Sequence, residues 1–318
     1  AALDGFAPDL VHVMAMGSRG TAQIAATLGR YPWVFTCHSA PPYERKVALF
    51  HGNEALHYGA RYMRFLPNTL AWRWLLSRGV MPHVVVHSEF VRRIVMRYGC
   101  AAANTSLISL GHDAEANEGE AAPKEVGPSP EIVTVGGLAH TKGQHDMIAA
   151  LPELARDFPG AKYKIIGEVR DRSYADFLLR SSERLGLDSQ VELLHGLSNE
   201  ARNEALRHAD VYVQPSHEEG FCLAFIEAAG VVPRIVGTDT GAIRSICADD
   251  AAARVVPVRS PHRLAAAVSS VLGSVPPAGS MQRRAERLRD RFDWSHYLDA
   301  HERLYVDLVR KRALSSSA

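Results

Sequence analysis

Short runs of β-branched and apolar residues alternate with amphipathic stretches from one end of the chain to the other. Residues 10–14 (LVHVM), 33–37 (WVFTC), 83–87 (HVVVH) and 105–110 (TSLISL) predict four strands, and 131–135, 163–166, 191–195, 211–214, 234–236 and 254–258 predict six more. Apolar runs of this length, separated by helical patterns, belong to parallel sheets covered on both faces. The expected fold class is α/β, with two Rossmann-like, doubly wound parallel-sheet domains. Residues 116–130 (ANEGEAAPKEVGPSP) carry Gly, Pro and Glu without apolar periodicity and read as a linker between a first domain at 1–115 and a second at 131–279. Residues 280–318 form a helical tail whose apolar face is Phe292, Trp294, Tyr297, Leu298, Leu304, Tyr305 and Leu308; it is expected to pack back on the body.

Composition narrows the function classes. With 318 residues, 47% of them apolar, the chain has ample material for two cores. Its 36 Lys+Arg against 35 Asp+Glu give a net charge of +1, which excludes a protein whose main task is coating nucleic acid. No stretch reaches the ~18 consecutive apolar residues of a membrane span, so the expected location is cytoplasmic. The 4 Cys (Cys37, Cys100, Cys222, Cys247) have no C-x-x-C spacing and read as small apolar fillers. The 15 His contain no H-E-x-x-H or comparable spacing, so no metal site is expected.

In doubly wound sheets ligands bind beyond the carboxyl ends of the strands. That places His38, the 136–143 loop, the Gly167-Glu168 turn and the 216–220 loop first in line. Segment 211–230 (VYVQPSHEEGFCLAFIEAAG) reads as strand, polar loop and helix, the helix starting near Phe221. A helix start binds phosphate through its N–H groups and dipole, here the amides of Gly220, Phe221, Cys222 and Leu223. Glu219 precedes the helix and Glu227 lies within it. They are at most ~12 Å apart and rotated by roughly 80°, so they cannot grip one atom, but they can hold two ends of an elongated ligand such as a nucleoside diphosphate sugar. The plainer reading makes Glu219 a favourable charge at a helix start, worth ~0.3–1 kcal/mol, and Glu227 a solvated side chain.

The stretch EGFCLAFIEA resembles the E-x7-E signature of the family 4 glycosyltransferases of the GT-B fold, with Glu219 and Glu227 as its carboxylates. PDLVHV (8–13), VFTCHS (34–39), VVVHSEFVRRIV (84–95), LGHD (110–113), VTVGGLAHTKG (133–143) and YKIIGE (163–168) are similar to that family's successive elements. The resemblance implies transfer of a sugar from a nucleotide donor with retention at the anomeric carbon. It implies no cofactor and no obligatory metal, the nucleoside diphosphate sugar being a substrate. It gives Lys142 the donor diphosphate and the leaving-group charge, and it gives Gly136, Gly137 and Gly143 close backbone approach to the phosphates. Glu219 would contact the donor sugar, Glu227 the ribose, and His38 the anomeric region.

The departures are informative. Gly137 stands where the family commonly has an arginine, a charge-assisted contact worth ~1.5–3 kcal/mol; Arg170 or Arg172 is the candidate to replace it. After Glu227 the turn Ala228-Ala229-Gly230-Val231-Val232-Pro233 is one residue shorter than the family's, and Ile243-Arg244-Ser245 lacks its usual glutamate. The family places roughly 60–90 further residues before the P-D-x-V-H segment, so the first domain is expected to be incomplete and the chain alone inactive. Between 61 and 98, seven arginines (61, 64, 73, 78, 92, 93, 97) interleave with Tyr62, Phe65, Trp72, Trp74 and Phe90, beside one carboxylate, Glu89. This suits peripheral contact with anionic lipid on the inner membrane face, or with a phosphorylated lipid-linked acceptor, a sugar acceptor being the other expectation. The plainer reading is a helix pair with solvated arginines. A sugar-nucleotide hydrolase, phosphorylase or epimerase on the same plan, and a noncatalytic sugar-nucleotide-binding module, remain as alternatives.

Overall fold

The structure is a computed structural model that describes residues 6–14, 28, 31–38, 70, 73–74, 76–77, 83–112 and 125–316. Each predicted strand is present: β1 Val11–Val13, β2 Trp33–Cys37, β3 Val84–Val86, β4 Thr105–Leu107, β5 Glu131–Val135, β6 Lys162–Ile166, β7 Val191–Leu194, β8 Val211–Gln214, β9 Ile235–Thr238 and β10 Ala253–Val256. They form two sheets, a 4-stranded one in the order β1-β2-β3-β4 and a 6-stranded one in the order β10-β9-β8-β5-β6-β7, parallel throughout. The chain divides into two compact units, one holding residues 1–110 and 295–318 and the other 111–294.

In the first unit the side-chain alternation of β2 decides what covers each face. Trp33, Phe35 and Cys37 point to one side, where Leu28, Leu76 and Val91, Ile94, Val95 and Tyr98 of the Glu89–Arg97 region pack on them. Val34 points to the other side, with Val85 and Ile108, and meets Tyr297, Ala300, Leu304, Tyr305 and Leu308 of the helix Trp294–Ser316. The face that carries Val34 is thus covered by a helix from the far end of the chain.

The tail expected to be helical at 280–318 consists of two helices, Ser280–Arg291 and Trp294–Ser316. Helix Ser280–Arg291 belongs to the second unit, whereas the chain from residue 295 onward belongs to the first. Of the apolar positions named for the tail, Phe292 lies in the break between the two helices and Trp294 to Leu308 lie on the second. The expected linker at 116–130 falls largely within 113–124, outside the described residues, and the units separate after residue 110. In the arginine-rich segment, Arg61, Arg64, Arg78, Tyr62, Phe65 and Trp72 lie outside the described residues, and so does Asp113. Among the described residues, Glu89–Arg97 buries Val91, Ile94 and Val95 and keeps Arg93 and Arg97 exposed, as the plainer reading has it. Among the described residues, no helix is long and apolar enough to cross a membrane.

The second sheet starts in its middle. From β5 the chain runs outward through β6 and β7, then returns to place β8, β9 and β10 on the other side. The direction of winding reverses between β5 and β8, which are neighbours in register Ile132↔Val211 and Val133↔Tyr212. Loops leaving two such strands diverge to opposite faces and open a crevice at their carboxyl ends. The helix Leu223–Val231 that follows β8 is fixed at its far end by Arg284, a buried arginine of Ser280–Arg291. Arg284 donates to the carbonyls of Ala229 and Val232 and, at 2.9 Å, to Asp250 Oδ2. A cation on the terminal carbonyls satisfies acceptors that the helix itself leaves open. Arg234, predicted as strand, is also buried and donates to the carbonyls of Val271 and Ser274, so β9 begins one residue later.

Replacing Arg284 strands the Asp250 carboxylate in the core. Arg284→Ala is expected to reduce unfolding free energy by about 3–5 kcal/mol, measured by urea denaturation; a loss under ~1 kcal/mol would show that the pair does not anchor this helix.

Candidate functional site

The loops after β5 and β8 are joined at several points. After β5 the chain passes Gly136, Gly137 and Leu138, makes the short turn His140–Lys142, and enters helix Gln144–Leu154 through Gly143. Gly143 is left-handed (φ 65°), and a Cβ there would stand 2.0 Å from the Pro215 carbonyl oxygen, so only glycine permits this approach of the two loops. The backbone N–H groups of His217 and Glu218 both donate to the Thr141 carbonyl, at 2.8 and 3.3 Å. Through these contacts Lys142 Nζ reaches both oxygens of Glu219, at 2.8 and 2.9 Å, across 77 positions of sequence.

Glu219 is 8% exposed and heavily partnered. Ser216 Oγ donates to it at 2.7 Å and Gln214 Nε2 at 3.3 Å, while Tyr212 donates to Gln214 Oε1 at 2.5 Å. The Cys222 thiol also bonds to it; burial first, and the Glu219 charge second, push that thiol well above its ordinary range, so it is a neutral donor. Thr238 Oγ1 donates to the Ser216 carbonyl at 2.5 Å and holds the loop from the β9 side. The carboxylate is thus fixed in direction, with Lys142 as its counter-charge.

The helix beside this pair begins at Leu223, two residues later than predicted, because Cys222 takes a left-handed conformation (φ 83°, ψ 67°). A non-glycine residue there is strained by ~1–2 kcal/mol. No side chain caps this helix start, and Phe221 packs edge-on against Phe292 at 5.4 Å. The first-turn N–H groups and the Lys142 ammonium together make a cationic end suited to an anion. Glu227 lies further along the helix, with Arg202 Nη1 3.6 Å away. It is ion-paired rather than simply solvated, and it does not share the partners of Glu219.

Arg170 and Arg172 separate clearly. Arg170 lies against Gly137: a Cβ at position 137 would meet its Nε at 2.7 Å and its Cδ at 2.8 Å. Its side chain thus occupies the space into which a larger residue 137 would grow. Arg172 starts the next helix, capped by Asp171, and is exposed. The sequence pattern named both; the packing at the glycine loop involves Arg170.

His38 belongs to the other unit and has its own surroundings. His87 Nε2 is 3.1 Å from His38 Nδ1, and His87 Nδ1 is 2.8 Å from the Ile108 carbonyl. Nearby, His12 bonds Tyr305 Oη at 2.5 Å and Thr36 Oγ1 at 2.6 Å and stacks on His301. Burial lowers the pKa of His38, and burial followed by neighbouring histidines lowers His12 to about 4; at His87 burial also dominates and takes it to about 4.

Of the polar residues behind Glu219, Ser216 and His217 fall in the 216–220 loop that the sequence singles out, whereas Gln214 has as its one signal a polar ending to an apolar strand. Asp146 and His217 meet at 2.8 Å although 71 positions apart, which no motif spacing discloses. All four cysteines are buried and unbridged.

With this geometry in hand, comparison with known proteins is direct. The family described as Glycosyl transferases group 1 matches residues 117–288, and that described as Glycosyltransferase Family 4 matches residues 1–116. The chain therefore belongs to the family 4 glycosyltransferases, and its two parallel-sheet units are of the GT-B class. It is 33% identical over 221 residues to glycogen synthase of Mycobacterium tuberculosis, covering 67% of this chain and 51% of that protein. It is 25% identical over 293 residues to phosphatidyl-myo-inositol mannosyltransferase of Mycolicibacterium smegmatis, covering 90% and 68%. The chain thus spans about half the length of the glycogen synthase it matches. Among solved structures, sucrose-phosphate synthase from Thermosynechococcus elongatus gives a TM-score of 0.72 at 18% identity, covering 100% of this chain and 76% of that one. Anabaena HepE in complex with UDP and glucose gives 0.70 at 18% identity, covering 93% and 77%.

Histidines whose folded pKa lies below the ~6.5 of the unfolded chain take up protons on unfolding. The stability they contribute is complete above pH ~6.5 and declines as pH falls toward 4. The unfolding midpoint should drop through this window, and the slope should flatten in a His12→Gln, His87→Gln double variant; an unchanged slope would mean that these rings do not titrate on unfolding.

Proposed function

We propose that the chain carries the donor-binding part of a retaining glycosyltransferase that moves a sugar from a nucleoside diphosphate sugar to a glycan, lipid-linked or small-molecule acceptor. The observation that carries this reading is the Lys142–Glu219 pair, set between a glycine loop and an uncapped helix start at the switch point of the second sheet. In this reading the diphosphate lies against Gly136, Gly137 and the amides of Gly220 to Leu223, which lead into the helix. Lysine has three ammonium donors, so Lys142 can keep Glu219 and still bind a phosphate oxygen, stabilising negative charge as the leaving group departs. As Lys142 turns one N–H to the phosphate, Glu219, still fixed by Ser216 and Gln214, accepts from a sugar hydroxyl in its place, and Glu227 accepts from the ribose. Arg170 supplies the cation that position 137 lacks. A role for His38 in the same reaction rests on the family resemblance alone.

The relatives give this reading its substrate class. HepE is described with UDP and glucose, which favours a nucleotide-sugar donor and makes UDP-glucose the first to test. The relatives are named for glycogen and for phosphatidyl-myo-inositol, which makes a glycan and a lipid-linked acceptor the two to test.

A panel of UDP-, GDP- and ADP-sugars should raise the thermal midpoint for at least one donor, because ligand bound to the native state stabilises by RT ln(1 + [L]/Kd). Lys142→Ala should remove that shift while remaining folded; a panel with no shift contradicts the proposal. With the acceptor supplied, retention is read from the anomeric coupling of the product by NMR, and release of free sugar alone would point to a hydrolase.

Arg170→Ala should weaken nucleoside diphosphate binding roughly 10- to 150-fold, as expected for one charge-assisted hydrogen bond. Adding Gly137→Arg in that background should recover most of the loss, since the space at position 137 is then open. Unchanged affinity in Arg170→Ala would remove Arg170 from the site.

A further inference from the structure

Behind the two donor loops lies a group of side chains that the glycosyl-transfer reading does not use. His145 and Asp146 stand in the first turn of Gln144–Leu154, and His217 stands in the loop after β8. One potential ligand atom from each lies within 4.8 Å of the others. Asp146 Oδ2 is 2.8 Å from His217 Nε2, and Asp146 Oδ1 is 3.6 Å from His145 Nε2. We propose that His145, Asp146 and His217 bind one divalent transition-metal ion of the zinc class, which ties the loop carrying Lys142 to the loop carrying Glu219.

Charge is the first reason. The Asp146 carboxylate is 8% exposed, and among the described residues its only ion-pair partners are these two histidines, with neither Lys nor Arg. A buried carboxylate needs a cation or a metal to offset its desolvation. Both imidazoles present a ring nitrogen to the carboxylate, and imidazole nitrogen is a common ligand for such an ion.

Donor type and geometry are the second reason. Two imidazoles and one carboxylate form a mixed N,N,O set that suits zinc and its neighbours rather than calcium or magnesium. Bond lengths of ~2.0–2.2 Å place adjacent donors ~3–3.5 Å apart, close to the 2.8 and 3.6 Å of the two Asp146 contacts. Tyr174 Oη lies 2.8 Å from His145 Nδ1, a contact that orients a ligating ring and directs Nε2 toward the carboxylate. The ion would act on loop position and stability, outside the sugar-transfer chemistry, and the site stands whether or not nucleotide binds.

The test uses the whole chain, stripped with chelator, loaded with zinc chloride alone and desalted. Elemental analysis should find one zinc per chain, with a raised thermal midpoint. His145→Gln with His217→Gln should retain none, while circular dichroism shows the double variant folded. Should that variant not fold, X-ray absorption on wild type decides: two imidazole scatterers and light oxygen or nitrogen ligands support the site. No retained zinc in wild type, equal retention in a folded double variant, or a sulfur-containing or imidazole-free coordination shell would each overturn it.

Discussion

The second unit is organised around a single close approach, that of the loop after β5 to the loop after β8. The two segments are far apart in sequence, and the ion pair of Lys142 with Glu219 exists only because their backbones touch where Gly143 faces Pro215. Any side chain at position 143 would separate them. Sheet order makes this contact available: reversal of winding between β5 and β8 leaves both loops at the same end of adjacent strands.

The surrounding structure reads as support for that contact. Tyr212, Gln214 and Ser216 form a buried chain of hydrogen bonds ending on Glu219, and Thr238 holds the Ser216 carbonyl. Arg284 fixes the carboxyl end of the helix whose amino end lies at the site. Cys222 accepts a strained backbone there, as residues at functional turns often do. A buried polar network of this kind is costly unless each member is satisfied, and here the partners converge on one carboxylate. Fixing the carboxylate in advance lowers the reorganisation needed when charge develops nearby.

Much of the fold was legible in the sequence because parallel strands buried on both faces leave an unmistakable apolar signature, as at Val84–Val86 and Val211–Gln214. Glu219, Glu227, Lys142 and the glycines were legible through a motif whose spacing reflects a strand, a turn and a helix start. Less legible were features set by packing between distant segments. The apolar positions from Phe292 to Leu308 look like one stripe, yet Phe292 lies in the break between two helices and packs on Phe221 of the second unit, while Tyr297, Leu304, Tyr305 and Leu308 pack in the first. Arg170 against Gly137 shows the same limit from the other direction: the missing arginine was visible in sequence, but which of two candidates sits there was a matter of shape. His145, Asp146 and His217 come together only through the loop contact, so no linear pattern could announce them.

Hydrogen–deuterium exchange with and without the nucleotide sugar that gives the largest thermal shift locates binding without perturbing the protein. Amide exchange should slow in residues 136–143 and 216–224 together, since one ligand spans both loops and the helix start. Slowed exchange confined to any other part of the chain, or to one of these loops without its neighbour, would contradict that placement.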